Sequence, residues 1–256
     1  MNDFIYKEIY SEIKNNYRSN WTKSDIERMR GMSTISTMST SRMNAILETI
    51  RYVKKKNIPG DLVECGVYMG GNIALSIGEM KRLDINRSFW AYDTFSGVPK
   101  NELIDNDTHI PMNKEGSGES VESRYVDDKW CYCDLDEVKQ NVLECTKNQT
   151  NYKYNNEETK DIIDDIVIYV EGSVIDTIPK TLPEQISFIR LDMDIAAPTK
   201  HTLEHIWELI PVGGVIHIDD YNMFSGVHEV VDEFFDDKFI YTQEIDDCAI
   251  SIVRLS

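Results

Sequence analysis

Long apolar runs are missing from this chain. No stretch approaches the roughly 18 residues that a membrane-spanning helix requires, so none is expected. Positive charge is scarce: 27 Lys and Arg stand against 45 Asp and Glu, a net charge of −18. Nucleic-acid binding leaves a basic stripe, and the shortage of Lys and Arg argues against that class and against docking on anionic lipid. An anionic small substrate stays compatible, because a bound cation reverses the local field. Cysteine is sparse and odd in number: Cys65, Cys131, Cys133, Cys145 and Cys248. The Cys131-Tyr132-Cys133 spacing is too short for a zinc knuckle, and the set reads as reduced thiols of a cytoplasmic protein. The first residues, Met1-Asn2-Asp3-Phe4-Ile5, lack the basic-then-apolar order of a secretory leader. Two motifs are also missing. Without G-x-G-x-x-G a nicotinamide-dependent oxidoreductase loses its phosphate cradle, and without H-E-x-x-H the i, i+4 pair His201 and His205 reads as surface or core rather than zinc ligands.

What is present describes a globular α/β protein. Hydrophobic residues make up 41% and charged residues 28%, and 256 residues suffice for one large domain with a sizeable core. Short apolar runs predict strands at Asp61–Cys65, Ser88–Tyr92, Ile166–Val170, Ile186–Leu191 and Val215–Ile218. Helical patterns fall between them: after Gly70-Gly71, about Asp134–Cys145, Thr199–Leu209 and Val227–Phe235. Phe239–Tyr241 and Ala249–Val253 read as a closing hairpin. This alternation predicts a Rossmann-like, doubly wound, mostly parallel sheet with a C-terminal antiparallel hairpin and an N-terminal helical extension. Residues 1–58 form that extension and 59–256 the main domain. Within the extension, Asp3–Ile13 has helical spacing, Ser24 with Glu27 opens a helix, and Ser41 caps another running to Lys55. It serves as a cap on the sheet, an arm over the active site or a dimer contact. Residues 100–135 read as a long loop, either a functional lid or disordered, and 149–165 as a polar surface insertion.

Four aspartates mark the ends of two of these strands. Ile186–Leu191 is followed by Asp192-Met193-Asp194, and Val215–Ile218 by Asp219-Asp220. Ligands of doubly wound sheets sit beyond the carboxyl ends of the strands. Carboxylates gathered there repel one another, and a hard divalent cation with oxygen ligands resolves the conflict. The alternative is a solvated acidic loop. Adjacent strand residues point to opposite faces, so Asp219 and Asp220 share an ion only if the chain turns there; otherwise one binds and the other acts through a water. At the other end, Val63-Glu64-Cys65-Gly66 leads into Gly70-Gly71, and Asp93 closes the second strand. A Gly turn with acids but no phosphate site suits S-adenosylmethionine: Glu64 for its ammonium, Asp93 for its ribose hydroxyls. Glu64 also reads simply as a solvated strand-end acid.

Four segments resemble one family. IPGDLVECGVYMGG at 58–71, AYDTFSGVP at 91–99, LDMD at 191–194 and GGVIHIDDY at 213–221 are similar, in order, to motifs of the macrocin/mycinamicin-type (TylF-like) sugar O-methyltransferases. The match spans roughly residues 32–225. The resemblance implies an S-adenosylmethionine- and Mg²⁺-dependent (or Mn²⁺-dependent) enzyme that methylates a sugar hydroxyl. Carried over by position, Asp192, Asp219 and Asp220 hold the metal and Asp194 is the general base. Glu64, Gly66, Tyr68, Asp93, Ser96 and Asp192 meet the cofactor, Ser41 lies over it, and Gly172 and Ser173 flank the adenine. The resemblance also implies a homo-oligomer, a dimer or larger. Two departures fall beside the site: Ile195-Ala-Ala-Pro-Thr199 keeps only Thr199 of the family run, and Ser173 replaces a Trp. They bear on the acceptor more than on the chemistry. A composition rich in Ile, Asn, Lys and Asp favours a nucleotide-linked sugar or a surface-polysaccharide (capsule or O-antigen) precursor. The alternatives are a glycosylated natural product and a catechol-type aromatic diol. His109 is a candidate acceptor contact, His217 reads as core, and Trp130, Tyr132 and Trp207 read as core or lid packing.

Overall fold

The computed structural model describes residues 25, 26, 29, 32, 35–110, 118–149 and 156–256. The predicted helix Asp3–Ile13 and the Ser24 helix start lie outside them. Seven strands form one sheet: β1 Asp61–Cys65, β2 Phe89–Asp93, β3 Val167–Glu171, β4 Ile186–Leu191, β5 Val215–Ile218, β6 Ile240–Glu244 and β7 Ile250–Arg254. Their order across the sheet is β3-β2-β1-β4-β5-β7-β6. β1 to β5 pair in parallel, and β7 pairs antiparallel with both β5 and β6. This is the predicted Rossmann-like α/β sheet with its C-terminal hairpin. Strand order reverses between β1 and β4, which opens a crevice beyond their carboxyl ends.

Helices cover both faces: α1 Thr40–Lys55, α2 Gly71–Arg82, α3 Leu135–Gln149, α4 Asn156–Ile166, α5 Val174–Thr177, α6 Ala196–Ile206 and α7 Ser225–Phe235. Alternating strand residues feed two cores. Leu62, Phe188 and Val215 pack with Ile46 of α1, Leu75 of α2 and Val142 of α3. Val63, Ile189 and Ile216 pack on the opposite face with Leu203 of α6 and Val231 of α7. Burial on both faces explains why β4 and β5 read as nearly unbroken apolar runs. No helix among the described residues is long and apolar enough to cross a membrane.

Three expectations need correction. Ser39, not Ser41, caps α1: its Oγ accepts from Arg42 N at 3.1 Å, and the helix begins at Thr40. The polar stretch 149–165 is not wholly a surface insertion, because α4 buries Ile163 and Ile166 in the first core. Its acids occupy the solvent side, and they masked the apolar stripe. Residues 100–135 are not a free loop throughout. Val121, 1% exposed, plugs the second core, and His109 bridges to Phe224.

Ile46 of α1 is fully buried against the sheet. Ile46→Ala is expected to cost about 2–5 kcal/mol in urea unfolding, as one cooperative transition. A loss below 0.5 kcal/mol would mean that α1 contributes little to the fold.

Candidate active site

The crevice at the strand-order reversal is a cavity of about 350 Å³. Gly66 shapes its floor. At φ +86° it occupies the left-handed region, and an added Cβ would lie 1.8 Å from Asp192 O, so the β1 turn and the β4 end touch only because this residue is glycine. Asp93 ties the turn down: Val67 N and Tyr68 N donate to one carboxylate oxygen at 2.6 and 3.1 Å, and Phe95 N donates to the other at 2.7 Å. Burial lifts the Asp93 carboxyl above its usual range, and these three N–H groups hold it back. The fourth acceptor position, on Oδ1, has only a long 3.5 Å contact from Thr94 Oγ1, which a ligand hydroxyl would displace readily.

Past β4 and β5 the chain turns at once. β5 stops at Ile218, which lets Asp219 and Asp220 face the same space rather than opposite faces. Carboxylate oxygens of Asp192, Asp219 and Asp220 come within 4.8 Å of one another. Asp194 sits beside them at φ +64°, an uncommon backbone conformation for a non-glycine residue, and its N–H donates to Asp220 Oδ2 at 3.3 Å. Burial, then the charges of Asp192 and Asp219, push the Asp194 carboxyl well above the usual range, while Arg124 and Arg190 oppose them. Asp220 is driven up in the same way, by burial and then by Asp194 and Asp192. This is a hard, oxygen-only donor set with surplus negative charge, and a divalent cation fits it.

Arg190 holds the set together from below. It is buried on β4 and pairs with Glu64 at 2.8 Å, Asp192 at 2.7 Å and Asp219 at 2.8 Å. Burial lifts Asp192 to about 6 against the pull of Arg190. Asp219 also takes a guanidinium N–H from Arg42 of α1. His217, next on β5, is buried and bonded to Thr49 at 3.0 Å, and burial lowers it to about 3, so it is a neutral core residue.

Of the residues proposed from sequence, Gly66, Tyr68, Asp93, Gly172, Ser173, Asp192, Asp194, Asp219 and Asp220 line the cavity. Three do not. Glu64 lies beneath the turn, with Oε1 accepting from Asn72 at 2.9 Å and from Arg190, and burial lifts it to about 7. Ser96 is exposed and Ser41 half-buried on α1; Arg42 and Thr37 line the wall from that side. His109 does not line the cavity but packs its ring on Phe224, 5.7 Å between centroids. Trp130, expected as packing, is a lining residue. Sequence reasoning missed Arg190, Arg42, Arg124 and Glu102. A lone arginine inside the β4 apolar run was the available signal for Arg190. Glu102 lines the cavity with Oε2 buried and without a hydrogen-bond partner among the described residues, while the side chain bonds Ser173. An orphaned acceptor of this kind fits a ligand donor such as a purine amino group.

Fold and site together define a doubly wound α/β protein with a small-molecule crevice and an acidic cluster at its rim. A family model described as macrocin O-methyltransferase (TylF) matches residues 4–150 and 137–252, and the chain belongs to that family. It is 28% identical over 196 residues to a demethyldecarbamoylnovobiocin O-methyltransferase of Streptomyces niveus, covering 75% of this chain and 64% of that one. The identity to a mycinamicin III 3''-O-methyltransferase of Micromonospora griseorubida is 27%, covering 76% and 68%. The chain thus spans slightly less than two thirds of the length of the Streptomyces relative. The fold superimposes on the O-methyltransferase NovP with a TM-score of 0.69 at 22% identity, covering 97% of this chain and 98% of that one.

Arg190→Met is expected to cost about 3–5 kcal/mol by leaving buried carboxylates uncompensated. Adding Glu64→Gln should recover part of that loss in chemical denaturation. Strict additivity of the two changes would dissolve the proposed ion network.

Proposed function

We propose that this chain transfers the methyl group of S-adenosylmethionine to a sugar hydroxyl, with Mg²⁺ or Mn²⁺ held by Asp192, Asp219 and Asp220. The observation that carries the reading is the convergence of those three carboxylates beside Asp194 in the switch-point crevice. Family membership supports it, as do relatives named as O-methyltransferases of mycinamicin III and of a rhamnosyl tetracenomycin C. The cofactor fits the part of the cavity lined by Gly66, Tyr68, Asp93, Glu102 and Ser173, with acceptors for its ribose and adenine donors and no phosphate cradle. For the acceptor we favour a nucleotide-linked sugar or a surface-polysaccharide precursor, on composition.

A divalent cation, when bound, would lower the pKa of the acceptor hydroxyl, which is far too weak an acid to ionise alone near neutral pH. The residues of the chain do the rest. Asp194, with its backbone held in an unusual conformation against Asp220, accepts the hydroxyl proton. S-adenosylmethionine, when bound beside Gly66 and Asp93, would supply an electrophilic sulfonium methyl group for the hydroxyl oxygen that Asp194 deprotonates, with the C–S electron pair left on sulfur. The products would be a methyl ether and S-adenosylhomocysteine with a neutral thioether, the proton remaining on Asp194. Gly66 allows the β1 turn and the β4 end to meet, which brings the two reactants within reach. Trp130 and Phe224 also line the cavity, where their rings would shield a bound acceptor from water.

On a panel of sugar acceptors, turnover should vanish in EDTA and return with Mg²⁺. Asp194→Asn should lower kcat by about 10²- to 10⁴-fold with the S-adenosylmethionine Kd unchanged by calorimetry. Undiminished turnover in that variant would remove Asp194 from the base role, and metal-independent turnover would remove the cation.

A further inference from the structure

Six carboxylates line the cavity: Asp93, Glu102, Asp192, Asp194, Asp219 and Asp220. The cations among its described lining residues are Arg42 and Arg124. Arg42 is engaged, paired with Asp219 and, at 2.8 Å, with Asp246. Arg124 has no carboxylate at ion-pair distance among the described residues. Its guanidinium lies instead over the rings of Trp130 and Phe224, 5.7 and 5.5 Å from their centroids. Cation–π contacts orient a guanidinium while leaving its five N–H donors available.

The segment that carries Arg124 is anchored. Arg124 ends the short 3₁₀ turn Val121–Arg124, whose Val121 is buried and donates its N–H to Asp107 O at 3.0 Å. The Asp107 carboxylate accepts in turn from Ile104 N at 2.8 Å and from Ala196 N, at the start of α6, at 2.9 Å. The segment that carries Arg124 is therefore tied to the start of α6, two residues beyond Asp194, and both side chains line the same cavity.

We propose that Arg124 recognises a phosphate carried by the acceptor, so that the substrate is a phosphate-linked sugar with its reacting hydroxyl at Asp194 and its phosphate at Arg124. This rests on the sugar-methyltransferase reading above. In a chain of net charge −18, an anionic acceptor entering an acid-lined cavity needs a local cation. A planar guanidinium meets two phosphate oxygens at once, which a point charge does not. A sugar carboxylate shares part of this chemistry, and the test separates the two.

The experiment is calorimetry on the protein loaded with S-adenosylhomocysteine, with Mg²⁺ present throughout so that any contribution of the cation is common to all variants. The probes are thymidine diphosphate, thymidine and glucuronate. Thymidine diphosphate should bind, with thymidine and glucuronate at least about tenfold weaker. Arg124→Gln should weaken the diphosphate by about 10- to 100-fold. Arg124→Lys should restore part of that loss. The Tm and the S-adenosylhomocysteine Kd should not move, which separates recognition from a structural role. Equal diphosphate affinity in wild type and Arg124→Gln overturns the proposal, as does no diphosphate binding by the loaded wild type. Glucuronate binding in preference to the diphosphate overturns the phosphate assignment. Failure to bind S-adenosylhomocysteine at all overturns the methyltransferase reading and this inference with it.

Discussion

One buried guanidinium, that of Arg190, ties together the acidic end of this molecule. It stands on the central strand β4, in register with Glu64 of β1 on one side and His217 of β5 on the other. Its three partners come from β1 and from the ends of β4 and β5, so a single side chain sets the relative position of three strand ends. One positive charge faces three acids, and Asp194 and Asp220 add two more close by. Isolated, such a group of carboxylates would protonate or move apart. With Arg190 beneath, it is held at short range yet left short of positive charge. That remaining imbalance is the physical reason for expecting a cation at the rim.

The N-terminal helical segment shares this electrostatic frame. Arg42 on α1 reaches Asp219 and also Asp246 in the turn between β6 and β7, and Ser39 donates to the same Asp246 carboxylate at 2.6 Å. The helix cap, the hairpin turn and the acidic cluster are therefore one hydrogen-bonded unit. These contacts place α1 at the wall of the cavity, in addition to its role in covering the sheet.

Much of the fold was legible from sequence because both-faced burial leaves an obvious trace: β1, β4 and β5 appear as short apolar runs of the right length. The aspartates at their ends were legible for a related reason, since a polar residue directly after a buried run marks where the sheet meets solvent or ligand. Ser41 was misread as a cap because Ser39 and Ser41 offer the same chemistry two residues apart, and only backbone geometry selects between them. Helix α4 was hidden by its acids, which face solvent while Ile163 and Ile166 face the core. Arg190 was not found because its partners Glu64 and Asp219 lie 126 and 29 residues away in the chain, Arg124 because Phe224 comes from a distant element, and Glu102 because its Oε2 has no partner among the described residues. Composition and spacing carry no record of either condition.

The most direct measurement is anomalous diffraction from crystals grown with Mn²⁺ and S-adenosylhomocysteine. The account predicts a manganese peak at the carboxylates of Asp192, Asp219 and Asp220, and its loss in Asp220→Ala crystals. A cluster free of manganese at saturating concentration, with the cofactor product bound in the crevice, would contradict it: the acids around Arg190 would then serve the fold and not a metal.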